Sequence, residues 1–132
     1  MENPATLGRK MKPPLIGIDL VDPELLADRL NKNPELGETL FCPGESAYAR
    51  TQRRPIQHLA ARFAVKEAVV KALGVQGWDP LEIEVVEGGE DVSLRLHGDI
   101  RKRALELDVE VTMSMTHVDS LAGAVAMAMP RR

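Results

Sequence analysis

The chain has 132 residues, a formal net charge of −3, one cysteine and only 3% aromatic residues. That length suits one domain of roughly 100–200 residues, and an acidic, aromatic-poor chain lacks the basic footprint and stacking platforms of a nucleic-acid binder. A lone Cys42 excludes an intrachain disulfide, and no apolar run approaches the roughly 20 residues of a membrane-spanning helix, so a reducing cytoplasm with no membrane attachment is the expected setting.

Residues 1–14 are polar, carry Pro4, Pro13 and Pro14, and read as a loose leader before a single domain at 15–132. Leu15 to Val21 is an apolar run that reads as a buried strand, interrupted by Asp19. An acid there is costly unless something pairs with it. Asp22-Pro23 reads as a helix cap followed by proline at the first helical position, opening a helix through Leu25, Leu26 and Leu30. Pro43-Gly44-Glu45 starts another, running to about Gln52, and Arg53-Arg54-Pro55 breaks it because the residue before proline avoids helical geometry. Ile56 to Leu73 is the strongest helical segment, with Gly74 as its stop. Leu81 to Glu87 and Val92 to Leu96 alternate as strands of a hairpin that turns at Gly88-Gly89. Gly98 to Leu107 reads as a basic amphipathic helix, and Val109 to Thr116 and Leu121 to Met129 as two further strands. This order predicts an α+β fold, a mainly antiparallel sheet packed with one long and several short helices.

Apolar residues surround nearly the whole long helix, which is the pattern of a buried helix. Its charges therefore stand out. Glu67 and Lys71 lie one turn apart on one face, with Ala60 and Ala64 expected to leave a groove beside them; Arg62 and Lys66 form a second pair on another face. Glu67 and Lys71 alone read as a helix-surface pair worth about 0.2–0.5 kcal/mol. Together with Asp19 they also read as a strand carboxylate and a helix carboxylate converging on magnesium, which takes one or two carboxylates plus phosphate oxygens and water. Ser114-Met115-Thr116-His117 ends a strand, so Ser114 and Thr116 share one side and His117 lies on the other. His117 alone reads as a strand-end histidine bonded to backbone; His58 and His97 read as structural or solvent-facing, and no His or Cys spacing suits zinc. Arg50, Arg53 and Arg54 read either as a solvated basic surface or as a phosphate grip.

Three segments together resemble the holo-acyl carrier protein synthase family, the small-type 4′-phosphopantetheinyl transferases. They are Gly17-Ile18-Asp19-Leu20-Val21-Asp22, the stretch from Arg62 to Leu73, and Ser114-Met115-Thr116-His117, and the resemblance runs from Leu15 to Met129. It implies transfer of the phosphopantetheine arm of coenzyme A to a serine of an acyl carrier protein, with release of 3′,5′-ADP. It implies Asp19 and Glu67 as Mg2+ ligands and Lys71 beside the coenzyme A diphosphate. It implies Arg62, Thr116 and His117 as coenzyme A contacts, Arg53 and Arg54 as the basic pair near the nucleotide 3′-phosphate, and a homotrimer with its sites at subunit interfaces.

The chain departs from the family pattern at Leu25, where an arginine thought to grip the carrier is common, in the short Gly74-Val75-Gln76-Gly77 loop, and at Gly89-Glu90-Asp91. The expectation is an altered partner, such as a carrier domain of a multidomain fatty-acid synthase. Two rival readings remain: a non-catalytic nucleotide-binding or assembly subunit of such a synthase, and a magnesium-dependent hydrolase of nucleotide diphosphates.

Overall fold

Strand β1 (Leu15–Val21) alternates its side chains as the pleat requires: Ile16, Ile18 and Leu20 face outward, while Gly17, Asp19 and Val21 face inward. The computed structural model describes residues 12–88 and 91–131, so residues 1–11 of the leader and Gly89 of the expected turn lie outside it. Helix α1 (Pro23–Lys32) starts as its sequence dictates, the Asp22 carboxylate accepting from Glu24 N at 2.9 Å, with Pro23 in the first turn. Helix α2 (Leu36–Leu40) was not foreseen, because five residues are too few to show a helical period. Helix α3 (Pro43–Arg50) and helix α4 (Pro55–Leu73) follow, and Gly74 closes α4 in the left-handed conformation at φ 66°. The expected strand at Leu81 begins later, because Asp79 caps a short 3-10 turn at Pro80–Glu82. Then come β2 (Ile83–Gly88), β3 (Asp91–Leu96), α5 (Gly98–Leu107), β4 (Val109–Val118) and β5 (Leu121–Pro130).

The result is the expected α+β architecture with antiparallel pairing throughout. One sheet has the order β1-β5-β4, and β2 and β3 form a separate two-stranded ribbon. Helix α4 lies across the inner face of the larger sheet. With few aromatics available, that contact is built from small side chains: Ala64, Val65, Ala68 and Val69 on α4 meet Ala124, Ala126 and Ala128 on β5. No helix among the described residues is long and apolar enough to cross a membrane.

Two features fix α4 in place. The first is Gly17, where an added Cβ would sit 2.0 Å from the Ala68 carbonyl oxygen and 2.8 Å from Ala72 N, so β1 touches the helix backbone directly. The second is a buried ion pair. Lys66 Nζ lies 2.8 Å from Glu45 Oε1, with both side chains wholly buried. Lys66 also donates to the carbonyls of Pro80 and Ile83, and Glu45 accepts from the backbone N–H of Cys42 at 2.8 Å and of Val85 at 2.9 Å. Every charge is therefore compensated, and α3, α4 and β2 are tied at one point. Removing one partner of such a pair costs about 3–5 kcal/mol. Cys42 itself is buried at the α3 N-terminus, and loss of solvent is the main cause that pushes its thiol pKa up to about 11.

Gly17→Ala tests the β1–α4 contact. The neighbouring atoms are backbone and cannot rotate aside, so the variant is expected to lose about 3 kcal/mol in urea-induced unfolding. Wild-type stability in that variant would show that the strand can shift without penalty.

Candidate active site

Gly17 brings β1 onto α4, and the next residue on the same face of the strand is Asp19. Lys71 Nζ donates to Asp19 Oδ1 at 2.9 Å and to the Ile18 carbonyl at 3.1 Å. Glu67, one helical turn earlier, is half-buried and shares with Asp19 a cavity of about 260 Å3 that also touches Asp22, Leu25, Arg29 and Phe63. The groove expected beside Ala60 and Ala64 is absent. Both alanines are fully buried, because small side chains let neighbouring elements close onto the helix, and the cavity opens over Phe63 instead.

Burial first, and the charge of Asp19 second, push the Glu67 carboxyl above its usual range, with Lys71 opposing. The hydrogen bond from Lys71 to Asp19, then their charge attraction, raise the lysine, so it stays a cation at neutral pH. Lys71 thus compensates Asp19 and leaves Glu67 short of positive charge. Among the described residues no group of three or more His, Cys, Asp or Glu side chains is placed to hold a metal. The two carboxylates fit a hard divalent cation such as Mg2+, which would draw its remaining oxygens from a phosphate ligand and water.

A second, more open cavity of about 310 Å3 lies at the start of α4, lined by Arg53, Arg54, Gln57, His58 and Asp119. Arg54 is ion-paired with Asp119, and Gln57 Nε2 donates to the same carboxylate at 3.2 Å. His58 packs against His117, ring centroids 4.9 Å apart. Burial, then the neighbouring His117 and Arg62, lower the His58 pKa and favour its neutral form. Of the two readings its sequence context allows, structural or solvent-facing, His58 takes the structural one.

Arg62 and Thr116 stand apart from these cavities. Arg62 is 1% exposed; its guanidinium pairs with Glu87, donates to the His58 carbonyl at 3.2 Å and lies 4.6 Å from the Tyr48 ring centre. It thereby holds the backbone beside the second cavity, while its buried Nε has no hydrogen-bond partner among the described residues. Thr116 projects from the outer face of the sheet, away from Asp19 and His117, as the strand alternation requires. The structure thus brings together Asp19, Glu67 and Lys71 at one point, and Arg53, Arg54 and His117 near another, while Thr116 faces elsewhere. Sequence reasoning missed Gln57 and Asp119. Helical spacing carried half of that signal, since Gln57 follows Arg54 by one turn. The Asp119 contact spans 65 residues of sequence and leaves no local mark.

Comparison with known proteins gives a consistent result. The family profile described as the 4′-phosphopantetheinyl transferase superfamily matches residues 15–126. The chain is 40% identical over 116 residues to a holo-[acyl-carrier-protein] synthase of Moorella thermoacetica, covering 84% of this chain and 90% of that protein. It is 39% identical over 117 residues to the holo-[acyl-carrier-protein] synthase of Streptomyces griseus, covering 86% and 95% of the two chains. Among solved structures, the ACPS-CoA complex of Chronobacterium ammoniagenes superimposes with a TM-score of 0.82 at 29% identity, covering 92% of this chain and all of that one. The acyl carrier protein synthase of Mycobacterium tuberculosis superimposes with a TM-score of 0.72 at 32% identity, covering 89% and 97%.

The charge imbalance at Glu67 has a measurable consequence. A carboxyl whose pKa is raised on folding helps stability below its unfolded pKa, and that help is lost as pH rises through the folded value. At neutral pH the ionised Glu67 therefore works against the fold. Glu67→Gln is expected to melt above the wild type at pH 7 without divalent cations, the gap closing toward pH 4. Adding Mg2+ should raise the wild-type melting temperature and leave the variant unmoved. Equal Mg2+ stabilisation of both would remove Glu67 from the cation site.

Proposed function

The chain belongs to the 4′-phosphopantetheinyl transferase superfamily, and from that premise we propose that it transfers the 4′-phosphopantetheine group of coenzyme A to a serine of an apo acyl carrier protein, releasing 3′,5′-ADP. The observation that carries this reading is the meeting of Asp19, Glu67 and Lys71 across the β1–α4 contact. The names and ligands of its relatives, holo-[acyl-carrier-protein] synthases and an ACPS-CoA complex, support it.

Mg2+ held by Asp19 and Glu67 would supply positive charge to offset that on the coenzyme A diphosphate. Lys71, with a half-exposed side chain, holds its proton and presents a cation at the edge of the same site. Its role is to stabilise the leaving phosphate electrostatically. Arg53 and Arg54, beside the N-terminus of α4, bind the 3′-phosphate of the nucleotide through fork-shaped donors, and the helix dipole adds to the attraction. His117 packs beside His58 and offers a ring nitrogen to the nucleotide. Arg62 acts as a positioning group, holding Tyr48 and the start of α4.

A homotrimer is part of this reading. The outer face of the β1-β5-β4 sheet exposes Ile16, Ile18, Leu20, Val118, Leu121 and Val125, an apolar surface of the kind that marks an interaction site. Thr116 lies on that face, so its part in coenzyme A binding would be played across the subunit boundary. Leu25, exposed beside the first cavity, gives the carrier an apolar contact where an arginine is common in relatives, which favours a carrier domain of a multidomain fatty-acid synthase.

Two experiments test the proposal. In the first, the enzyme, coenzyme A and Mg2+ are incubated with an apo carrier, free or as a synthase domain, and the carrier's intact mass is followed. The wild type should add one phosphopantetheine, faster on the domain, and Glu67→Ala should add none while staying folded. Release of 3′,5′-ADP without any carrier would point to a hydrolase, and near-normal transfer by the variant would defeat the metal-ligand assignment. In the second, Val125→Glu should convert a sedimenting trimer to monomers; a wild-type monomer would end the trimer reading.

A further inference from the structure

The cavity assigned above to the nucleotide 3′-phosphate already contains an anion that belongs to the chain. Asp119, on the turn between β4 and β5, lies in an ion pair with Arg54, and the same Oδ1 accepts from Gln57 Nε2 at 3.2 Å. Arg53 and His58 complete the rim. The cavity is thus lined by two arginines and one carboxylate, and it keeps a net positive charge with its own acid on Arg54.

The two arginine–carboxylate pairs of this region differ in one decisive respect, which is water. Arg62 and Glu87 are 2% and 20% exposed at their side chains, whereas Arg54 and Asp119 are 54% and 81% exposed. A buried pair is costly to break because each partner would be left uncompensated in a poorly solvated site. An exposed pair is worth little and opens readily, since water satisfies both ends. Glu87 therefore stays on Arg62, and Asp119 can leave Arg54.

We propose that Asp119 is a displaceable internal competitor for the 3′-phosphate of the nucleotide, weakening the grip of Arg54 on coenzyme A and on the 3′,5′-ADP product. The inference rests on the transferase reading above and adds a residue to it. A phosphate monoester carries about −1.5 to −2 charges and three acceptor oxygens, against one charge and two oxygens on a carboxylate. The ligand wins the exchange, and its net gain is reduced by what Asp119 gives up. Because the product keeps the same phosphate, the competitor returns to Arg54 as the nucleotide departs, which favours turnover over tight product binding. A ligand without that phosphate has no need to displace Asp119 and is indifferent to it.

The test is calorimetric binding of coenzyme A and 3′-dephospho-coenzyme A to the wild type and to Asp119→Asn, with Mg2+ present. Asparagine keeps the shape and removes the charge, and residue 119 lies on an exposed turn, so folding is not at stake. Asp119→Asn should bind coenzyme A tighter by up to roughly fivefold, the limit for an exposed ion pair, and inhibition by 3′,5′-ADP should strengthen by the same factor. Binding of 3′-dephospho-coenzyme A should not change, and the gain should shrink in about 1 M salt, where charges are screened within a few ångströms. Equal tightening of both ligands would reduce Asp119 to a general surface charge and overturn the proposal. Weaker coenzyme A binding would make it a direct ligand contact and overturn it equally. Binding of coenzyme A by neither chain would remove the transferase reading itself, an outcome distinct from a failed competitor.

Discussion

The whole arrangement depends on the contact between the backbone of β1 and the backbone of α4. At Gly17 no side chain separates strand from helix, and the Ala68 carbonyl occupies the space a Cβ would need. Elsewhere along the interface the spacers are mostly alanines, as suits a chain with so few aromatic residues to fill gaps. One step further along β1, the same closeness makes an acid on the strand a neighbour of an acid and a lysine on the helix. A strand held even one side chain further away would leave these three groups as separate surface charges. The site is thus a by-product of packing, and its precision is inherited from the core.

Helix α4 illustrates how depth decides what a charge does. Its four charged residues from Arg62 to Lys71 sit within three turns. Lys66 is wholly enclosed and has three oxygen partners, from Glu45, Pro80 and Ile83, which leaves it no freedom and no chemistry. Arg62 is nearly as deep and serves as a strut between α4, the β2 ribbon and Tyr48. Glu67 is half covered and holds an unmet electrostatic demand, while Lys71 reaches solvent. The proposed chemistry falls where burial is partial: enough to raise the energy of an ionised group, and open enough to leave a cavity beside it.

Much of the fold was legible in the sequence because its boundaries carry local chemistry. Asp22-Pro23 and Gly74 mark helix ends through hydrogen bonds and a backbone conformation that involve only adjacent residues. The strand from Val109 alternates visibly and that from Leu121 is an apolar run, and the structure extends them to Val118 and Pro130. What stayed hidden was the choice of distant partners. Periodicity placed Arg62 and Lys66 on a second face of the helix but could not say that Glu87 and Glu45 would cover them. It also misjudged Ala60 and Ala64, because small residues are equally compatible with an open groove and with a tight seam; the identity of the element laid against them decides. Helix α2 and the turn carboxylate at Asp119 belong to the same class, since neither has a sequence period and each is defined by what it touches.

The single cysteine acquires a meaning from the chemistry proposed for its surroundings. Coenzyme A ends in a thiol, and so does the arm installed on the carrier. An enzyme that handles such groups risks capturing its own substrate as a mixed disulfide, through attack by a thiolate. Cys42 is sealed beneath the 3-10 turn, its sulfur directed at the Leu81 carbonyl, and its ionisation lies far above physiological pH. Reactivity of a thiol follows its ionised fraction and its accessibility, and here both are suppressed. The fold therefore keeps the Cys42 thiol covered and protonated.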